Sequence, residues 1–479
     1  MPAYTERHLR ILQWLVAVGF FMQTLDSTIV NTALPAMAES LGELPLRMQS
    51  VVISYALTMA MLIPASGWIA DRFGIRRAFF IAIVLFVAGS LLCAGSRTLF
   101  ELNSSRVVQG AGGAMLLPVG RLAILRAFPN ERLLAAMSLI AIPGLLGPLI
   151  GPTLGGWLVD VASWHWIFLI NVPIGLAGCA ATFAFMPEYR QRNVARFDLV
   201  GYILLSIGMV AVSFAIDGLS ELSLRHVTVL LLLIFGLASL AAYWLRAPQR
   251  PHPLFPPSLF AIPTFSIGLI GNLFSRLGSS GTPFLLPLLL QVSLGYSPFH
   301  AGLLMLPTSV GAILSKRLVT PVVERIGYRR TLVINTWLVG LAMASFALIS
   351  NAEPLWLLVV QLGLFGVVNS LQFTAMNTVT LKDLRGPAAS SGNSLLSMVQ
   401  MLAMSFGTAA AGGLLTAFID VFGRATDHGL PAFHATFVSV GLMTAAAAWI
   451  FWQLAADIPP THAAAHEPEV AATKPTEST

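Results

Sequence analysis

The sequence predicts an all-α membrane protein with fourteen transmembrane helices. Of its 479 residues, 56% are hydrophobic and only 10% are charged, and the mean hydropathy is +0.79. A soluble domain carries roughly 25% charged residues. The apolar residues fall into fourteen runs of about 20, the length at which a helix crosses a bilayer. One charged heptapeptide also occurs twice, which indicates two related halves.

The fourteen predicted spans are joined by short segments that hold most of the charged residues. The spans are 11–34, 48–70, 78–96, 99–119, 133–158, 164–186, 199–217, 226–246, 264–291, 299–316, 331–350, 354–378, 391–418 and 432–456. The two cysteines, Cys93 and Cys179, lie in separate apolar runs. They give no sign of a disulfide or of a metal site.

The positive charges set the expected orientation. With the N-terminus inside, 21 of the 27 Lys and Arg residues fall on the cytoplasmic side. Only four face outward: Arg47, Arg97, Arg225 and Arg424. Because cytoplasmic loops are enriched in Lys and Arg, both termini are expected in the cytoplasm. The net charge of +6 therefore reflects membrane topology and predicts no nucleic-acid partner.

The repeated heptapeptide predicts the domain organisation. "DRFGIRR" (71–77) follows the second span and "ERIGYRR" (324–330) follows the tenth, 253 residues later. Eight spans separate the copies where six would suffice, so spans 7 and 8 are interpreted as an insert. The expected domains are a six-helix bundle (1–188), a two-helix insert with a cytoplasmic linker (189–262), a second six-helix bundle (263–456) and a disordered cytoplasmic tail (457–479).

Five stretches resemble a known family. "GWIADRFGIRR" (67–77) resembles the loop 2–3 signature of the major facilitator superfamily. "LNSSRVVQGAGGA" (102–114) resembles its span-4 motif, and "GLLGPLIGPTLGG" (144–156) its antiporter motif. "LDSTIVNTALP" (25–35) and "WHWIFLINVPIG" (164–175) resemble the fourteen-span drug:proton antiporter branch. The chain departs from that branch at His165, where an arginine is usual, and at Thr320, where the second signature lacks its leading glycine.

The resemblance implies a secondary transporter of a bacterial inner membrane with the major facilitator fold. Such a protein is no enzyme, needs no cofactor and uses the proton gradient to export amphipathic small molecules by alternating access. Its expected partners are the substrate, protons and the lipid bilayer, and it is expected to act as a monomer. The sequence holds no Walker motif or metal-ligand cluster. Two alternatives stay open: an exporter of a specific organic anion or metal-chelate anion, and a membrane scaffold or sensor.

A conformational latch is implied by the loop 2–3 signature. Its glycines allow a tight helix exit, and its acid and arginines can pair at helix ends to hold a closed state. The predicted latch residues are Gly67, Asp71, Arg72, Gly74, Arg76 and Arg77. Because the second copy departs at Thr320, the second half is expected to latch less strongly.

Two opposite charges lie at similar depth in the first half. Asp26 is about 12 Å from the outer end of span 1, and Arg106 is about 10 Å into span 4, at 1.5 Å per residue. A charge at the centre of a helix costs on the order of 2.5–3.5 kcal/mol on insertion scales. The pair is therefore predicted to carry proton coupling. The alternatives are that Asp26 caps a helix break beside Ser27, Thr28 and Asn31, and that Arg106 forms a purely structural ion pair.

Polar residues at membrane depth predict a substrate cavity. The candidates are Gln109, Asn272, Arg276, Asn369, Gln372 and Asn393. Gln109, one turn from Arg106, is expected either to share the Arg106 network or to bond a substrate. Arg276 lies about 18 Å from the inner end of span 9 by helical rise, with no acid evident beside it. It is predicted either to bind an anion or to bond carbonyls of a broken helix near Gly278 and Gly281. Polar side chains here serve equally well as bonds between helices.

A stripe of small residues marks span 5. Its glycines recur every three or four residues, so a neighbouring helix can approach closely, and its prolines favour a bend. The antiporter-motif residues are Gly144, Gly147, Pro148, Gly151, Pro152, Gly155 and Gly156. Beyond close packing, this stripe is predicted to seal the cavity against leak between the halves.

Overall fold

The computed structural model describes residues 6–128, 130–190, 194, 196–220, 226–350, 352, 354–422 and 429–455. Throughout these residues the regular structure is helical. The predicted tail 457–479 lies outside the described residues, as do Arg225 and Arg424 of the orientation argument.

The helices fall into three consecutive groups along the chain. The first region contains α1 (Glu6–Leu41), α2 (Gln49–Phe73), α3 (Ile75–Gly95), α4 (Leu99–Ala127), α5 (Asn130–Val161), α6 (Trp166–Leu169) and α7 (Asn171–Phe185). The middle group contains α8 (Leu199–Ser220) and α9 (His226–Arg246). The second region contains α10 (Pro263–Ser279), α11 (Thr282–Leu288), α12 (Pro298–Leu304), α13 (Leu306–Ser345), α14 (Leu355–Leu381), α15 (Pro387–Phe422), α16 (Leu430–Ala446) and α17 (Ala448–Trp452).

The prediction of an all-helical, multi-pass membrane protein is confirmed. Among the described residues, eleven helical segments are long and apolar enough to cross a membrane. The long helix α1 is outside that count, and α12 and α13 are counted together as one 51-residue segment. The predicted ninth span is divided between α10, of 17 residues, and α11. The count of fourteen spans stays a prediction.

The repeated heptapeptide turns the chain in the same way in both regions. Gly74 has φ 100° between α2 and α3, and Gly327 has φ 79° within α13. These glycines stand at equivalent positions of the two copies. Positive φ values are readily adopted only by glycine, so each copy needs it there to reverse the chain between two helices.

The apolar cores show where the two regions meet. We call the end of the molecule that holds Glu6 and Trp452 the terminal face, and the other end the distal face. At the distal face one core joins both regions; it includes Leu34, Met37, Phe168, Phe284, Phe346 and Phe437. At the terminal face each region has its own core, around Phe79 in the first and Leu332 in the second. A further core joins α2, at Leu57, to α8 and to α15, at Leu395 and Leu402. The regions therefore pack against each other distally through one large core and also along α2 and α15.

The middle group packs as a hairpin against both regions. Helix α8 contacts α2 and α15. The Ser213 and Ser405 hydroxyls lie 3.0 Å apart in the buried contact with α15. Gln49 Nε2 donates to Asp217 Oδ1 at 3.0 Å in the contact with the first region. Large apolar side chains of α9, among them Phe235, point away from the protein, as expected of a lipid-facing helix.

Candidate functional site: a buried ion pair beside a central cavity

Asp26 and Arg106 form an ion pair in the interior of the first region. Arg106 Nη1 on α4 donates to Asp26 Oδ2 on α1 at 2.6 Å. Asp26 is 0% exposed and Arg106 is 1% exposed. The other carboxylate oxygen accepts from Gln109 Nε2 at 2.7 Å and from Asn171 Nδ2 on α7 at 3.3 Å. Three helices thus hold one carboxylate.

The surrounding polar groups satisfy most of the donors of this cluster. Arg106 Nη1 also donates to Gln109 Oε1 at 2.7 Å, and Arg106 Nε donates to the Val51 carbonyl at 3.4 Å. Gln109 Nε2 donates to Ser90 Oγ on α3 at 2.9 Å. Buried charges are tolerated when they are paired and hydrogen-bonded in this way. Of the two places expected for Gln109, the structure shows the one in the Arg106 network.

Two aromatic rings enclose the guanidinium of Arg106. Its Cζ lies 4.1 Å from the ring centre of Tyr55 on α2 and 5.8 Å from that of Phe168. A guanidinium over an aromatic face is attracted by the negative π surface. The rings therefore stabilise the cation while keeping water away from it.

The structure does not place Asp26 at a helix break. Helix α1 runs without interruption from Glu6 to Leu41, and the Asp26 carboxylate bonds to α4 and α7 rather than to its own backbone. The hydroxyls of Ser27 and Thr28 bond to carbonyls one turn earlier in α1, including Thr24 O. The capping alternative is therefore not what the geometry shows.

A cavity lies between the two regions beside this cluster. It consists of two adjoining parts of about 430 Å³ and 400 Å³. Helices α1, α2 and α4 line it from one side, and α10, α14 and α15 line it from the other. The side chains common to both parts are Arg276, Phe373, Gln400, Met401 and Met404. Volumes of this size are typical of small-molecule sites, and flexible thioethers adapt to varied apolar shapes.

Arg276 is a cation in this cavity without an anionic partner. Its Nε and Nη2 atoms are buried and have no hydrogen-bond partner among the described residues. Its Cζ lies 4.3 Å from the ring centre of Phe373. The helix does break where expected, between Ser279 and Thr282. However, no described carbonyl accepts from the guanidinium, so the carbonyl-bonding alternative does not account for Arg276.

The other predicted cavity residues divide into two groups. Asn369 and Gln372 line the smaller part of the cavity, and Asn393 lines the larger part. Asn272 does not line it; its Nδ2 donates to Gly268 O at 3.0 Å and to Thr380 Oγ1 at 3.3 Å. The geometry does not show the predicted place of Asn272 in the cavity. Because α10 packs closely on α14, the Asn272 side chain forms a hydrogen bond between these two helices.

The glycine stripe of α5 packs mainly within the first region. A Cβ at Gly147, Gly151 or Gly155 would lie within 2.7 Å of atoms in α1, from Thr24 Oγ1 to Ile29 O. Gly144 likewise faces Phe20. The nearest atoms to these four glycines all belong to the first region, and their sealing role stays a prediction. Their small size serves the contact of α5 with α1.

Other residues of the same motif form the seal between the regions. A Cβ at Gly156 would lie 2.1 Å from Pro298 O, and one at Gly302 would lie 2.3 Å from Pro152 O. Pro152 has no N–H, so the carbonyl of Pro148 one turn earlier loses its helical donor. That carbonyl accepts from Ser309 Oγ of the second region at 2.9 Å. The seal thus uses backbone contact and a carbonyl freed by proline.

The predicted latch residues join the ends of several helices at the terminal face. Asp71 pairs with Arg126 at the end of α4 rather than with an arginine of its own motif. Arg76 Nε donates to the Met186 carbonyl at 2.6 Å. Gly74 packs against the Glu188 carboxylate so closely that a Cβ would lie 1.8 Å from Oε1. No described residue makes an ion pair with Glu324, the counterpart of Asp71.

Sequence reasoning missed three members of the buried cluster. Tyr55, Ser90 and Asn171 are 2%, 0% and 1% exposed. Asn171 lies inside a motif already recognised, so its position was available as a signal. Ser90 and Tyr55 lie in apolar runs where nothing in the local pattern distinguishes them. Only the packing of α2 and α3 on α4 brings them to Arg106.

Comparisons with known proteins identify the family of the chain. The family model of the Major Facilitator Superfamily matches residues 16–408 and 268–478. The chain belongs to the Major Facilitator Superfamily. Within the superfamily, the motifs predict a likeness to MdtD, and the relatives confirm it.

Two relatives illustrate the likeness. A protein of Serratia proteamaculans (strain 568) is 50% identical over 465 residues, which cover 96% of this chain and 97% of the relative. A protein of Pectobacterium atrosepticum is 52% identical over 405 residues, covering 85% of this chain and 87% of the relative. Both carry the provisional name multidrug resistance protein MdtD.

Solved structures share the fold at low sequence identity. A POT family transporter in complex with 5-aminolevulinic acid matches with a TM-score of 0.68 and 18% identity, covering 93% of this chain and 95% of that one. A D-xylose-proton symporter matches with a TM-score of 0.67 and 14% identity, covering 93% and 98%. At these identities the solved structures show that this chain shares their fold.

Proposed function

We propose that this chain is a proton-coupled multidrug exporter that works by alternating access. The observation that carries the proposal is a buried Asp26–Arg106 pair directly behind a cavity that lies between two regions of the chain. The names of the relatives point to drug export. The superfamily membership supports transport rather than enzymatic catalysis.

The proposed architecture completes the membrane topology. Fourteen helices cross a bacterial inner membrane as two six-helix bundles, within 1–188 and 263–456, with the insert and linker 189–262 between them. Both termini are cytoplasmic, so the cavity opens to the cytoplasm and the distal seal faces outward. This orientation follows from the excess of Lys and Arg on the terminal side. The protein works as a monomer without a cofactor.

Coupling follows from the position of the acid. In the sealed conformation Asp26 has Arg106 and Gln109 as partners. A conformation that separates α1, which carries Asp26, from α4, which carries Arg106 and Gln109, leaves the Asp26 carboxylate free to take a proton. A drug that enters the cavity from the cytoplasm contacts the same helices, α1, α2 and α4. Proton release and drug export are therefore linked through one set of elements.

Proteoliposomes test this proposal. Purified protein is reconstituted with a pH-sensitive dye inside, and ethidium serves as the cationic probe. We expect a proton gradient to drive ethidium across the membrane in exchange for protons. An ethidium gradient should in turn drive protons in the opposite direction.

Asp26→Asn keeps the size of the side chain, but an amide cannot carry the proton, and one of the two oxygens that accept from Arg106 and Gln109 becomes an NH2 group. Because the substitution leaves Arg106 buried without its anion, gel filtration confirms that the compared proteins are folded. The ethidium-driven proton flux of Asp26→Asn is expected to fall to the level of empty liposomes. Wild-type flux in Asp26→Asn would refute the role of Asp26, and inert wild-type protein would refute transport of this cation.

One observation favours a second candidate, the export of an organic anion. Arg276 presents a guanidinium to the cavity, and its Nε and Nη2 have no described partner. A carboxylate would supply the charge-assisted hydrogen bonds that this group lacks. If this candidate holds, Arg276→Gln weakens transport of citrate while ethidium transport is unchanged or improved. Equal loss of both at matched protein levels would reject it. The names of the relatives favour the multidrug proposal.

A further inference from the structure

Tyr55 contacts both the buried ion pair and the central cavity. Its ring lies on the Arg106 guanidinium, 4.1 Å from Cζ to the ring centre. The residue also lines the larger part of the cavity, with Thr24 and Ser27 of α1. Tyr55 is nevertheless only 2% exposed, because neighbouring helices cover the ring. It is a wall that the cavity and the ion pair share.

The lining of the cavity shows what this wall separates. Thr24, Ser27 and Tyr55 border the cavity, whereas neither Asp26 nor Arg106 does. Both charges are almost completely buried. Tyr55 is a lining residue whose side chain contacts the pair directly, so a proton or water passing from the cavity to Asp26 has a path at the Tyr55 ring as well as at the backbone of α1. Because a helix backbone moves less readily than a side chain, the ring is the easier path.

The hydroxyl of Tyr55 is not fixed by a hydrogen bond. Its Oη is buried and has no partner among the described residues. It lies against α4, where a Cβ on Gly113 would be 2.7 Å away. Buried hydroxyls normally find a partner, so this position of the ring is held by packing and the cation rather than by its own polar group. A second position that bonds the hydroxyl to water or ligand in the cavity would satisfy it.

We propose that Tyr55 is the gate between the central cavity and the buried Asp26–Arg106 pair. With the ring on Arg106 the gate is closed; with the ring turned into the cavity, the pair is open to water and protons. On the side of the pair the ionisable groups are Asp26, Arg106, the Tyr55 phenol and the thiol of Cys93 on α3. On the side of the cavity they are Arg121 and Arg276. Tyr55 carries no proton itself; its ring covers Arg106 and so controls access to the pair. The purpose of the gate rests on the proposed proton coupling.

Cys93 reports on the gate without substrate or gradient. The residue is 0% exposed, its Sγ lies 3.6 Å from Gln109 Oε1 of the cluster, and it does not line the cavity. The other cysteine is removed by Cys179→Ser. In purified protein of this background, labelling by methanethiosulfonate ethylammonium is followed by mass spectrometry. We expect Tyr55→Ala to raise the rate at Cys93 roughly tenfold or more, since thiol reactivity follows exposure.

Matched variants separate a gate from general loosening. Tyr55→Phe keeps the ring on Arg106, so it should label within about twofold of the background. Met59→Ala shortens another cavity-lining residue one turn along α2 and should also stay near the background rate. Gly113→Ala places a methyl group against Oη and should raise the rate by displacing the ring. Unfolding midpoints and gel-filtration profiles confirm that the compared variants are folded.

Three results would overturn the gate. They are an unchanged Cys93 rate in folded Tyr55→Ala, an equal rise in Met59→Ala, and failure of Tyr55→Phe to restore slow labelling. If Tyr55→Ala does not fold, an unchanged rate in Gly113→Ala overturns it instead. Wild-type protein that moves neither ethidium nor protons would reject the transport proposal. It would leave the labelling result, and hence the gate, unaffected.

Discussion

The two regions contain similar polar clusters, but only the cluster of the first region has its arginine paired with an acid. In the first, Gln109 on α4 donates to the Ser90 hydroxyl on α3 at 2.9 Å. In the second, Gln372 on α14 donates to the Thr336 hydroxyl on α13 at 2.7 Å. Three residues before each glutamine stands a polar residue, Arg106 or Asn369. The arrangement of helix, hydroxyl and amide is thus repeated.

The charges are what differ. The first helix of the first region supplies an acid, Asp26, which Arg106 neutralises within the protein. The first helix of the second region supplies Arg276, which faces the cavity, and Asn369 offers it no negative charge. One cluster is closed on itself and the other is open to a ligand. Under the proposed function, the first cluster serves coupling and the second serves substrate contact, on one repeated frame.

The largest expected effect compares the two buried arginines. Arg106→Gln leaves Asp26 buried without its cation, and breaking such a pair costs about 3–5 kcal/mol. Arg276→Gln removes a cation that has no ionic partner among the described residues, so its cost should stay below about 1 kcal/mol. Thermal unfolding in detergent measures both. Equal destabilisation by the two substitutions would mean that Arg276 has a structural partner after all.

A double substitution separates charge balance from coupling. Asp26→Asn combined with Arg106→Gln removes both charges, so the double variant should recover most of the stability lost in Arg106→Gln. Removing both charges avoids the cost of an uncompensated buried charge, which either single substitution incurs. Proton-coupled ethidium transport should remain absent, since no acid is left to carry the proton. A stable double variant that still couples would assign the proton to another residue.

The charged residues of the two clusters could be predicted from the sequence, whereas the places of the amide residues could not, for a physical reason. Opposite charges in an apolar run are costly, so Asp26, Arg106 and Arg276 stood out by type and depth. Helical rise placed the first two at similar depth, and the structure joins them. By contrast, sequence placed Asn272 in the cavity and left Gln109 undecided between the cavity and the Arg106 network, because an amide at membrane depth is equally able to face water or a neighbouring helix.

The glycine stripe shows a second limit. Its spacing predicted close approach of another helix, which is correct, but spacing does not say which helix approaches. The structure sets Gly147 and Gly151 against α1 and leaves Gly156 for α12. The role of Tyr55 had no signal at all, since an aromatic residue in an apolar run is ordinary.

A medium effect distinguishes the two glutamines. Gln109→Leu and Gln372→Leu each leave buried polar groups unpaired, at about 1–3 kcal/mol. The destabilisation should therefore be similar. Only Gln109→Leu removes a donor to Asp26, so only this variant should reduce proton flux per ethidium exported. Both are measured in the same liposomes. A matching loss of coupling in Gln372→Leu would show that the second cluster also carries protons.

The smallest expected effect compares the two copies of the heptapeptide. Asp71 pairs with Arg126, and both side chains are partly exposed, 25% and 22%. An ion pair of this kind contributes about 0.2–1 kcal/mol, which is enough to shift a balance between two conformations by up to a few-fold. Asp71→Asn should therefore change the ethidium export rate a few-fold with little loss of stability. Glu324→Gln is the matched control, since no described residue pairs with Glu324, and it should leave the rate unchanged. Equal effects would mean that the copies latch equally, and that Glu324 gains a partner in the conformation where the terminal face is closed.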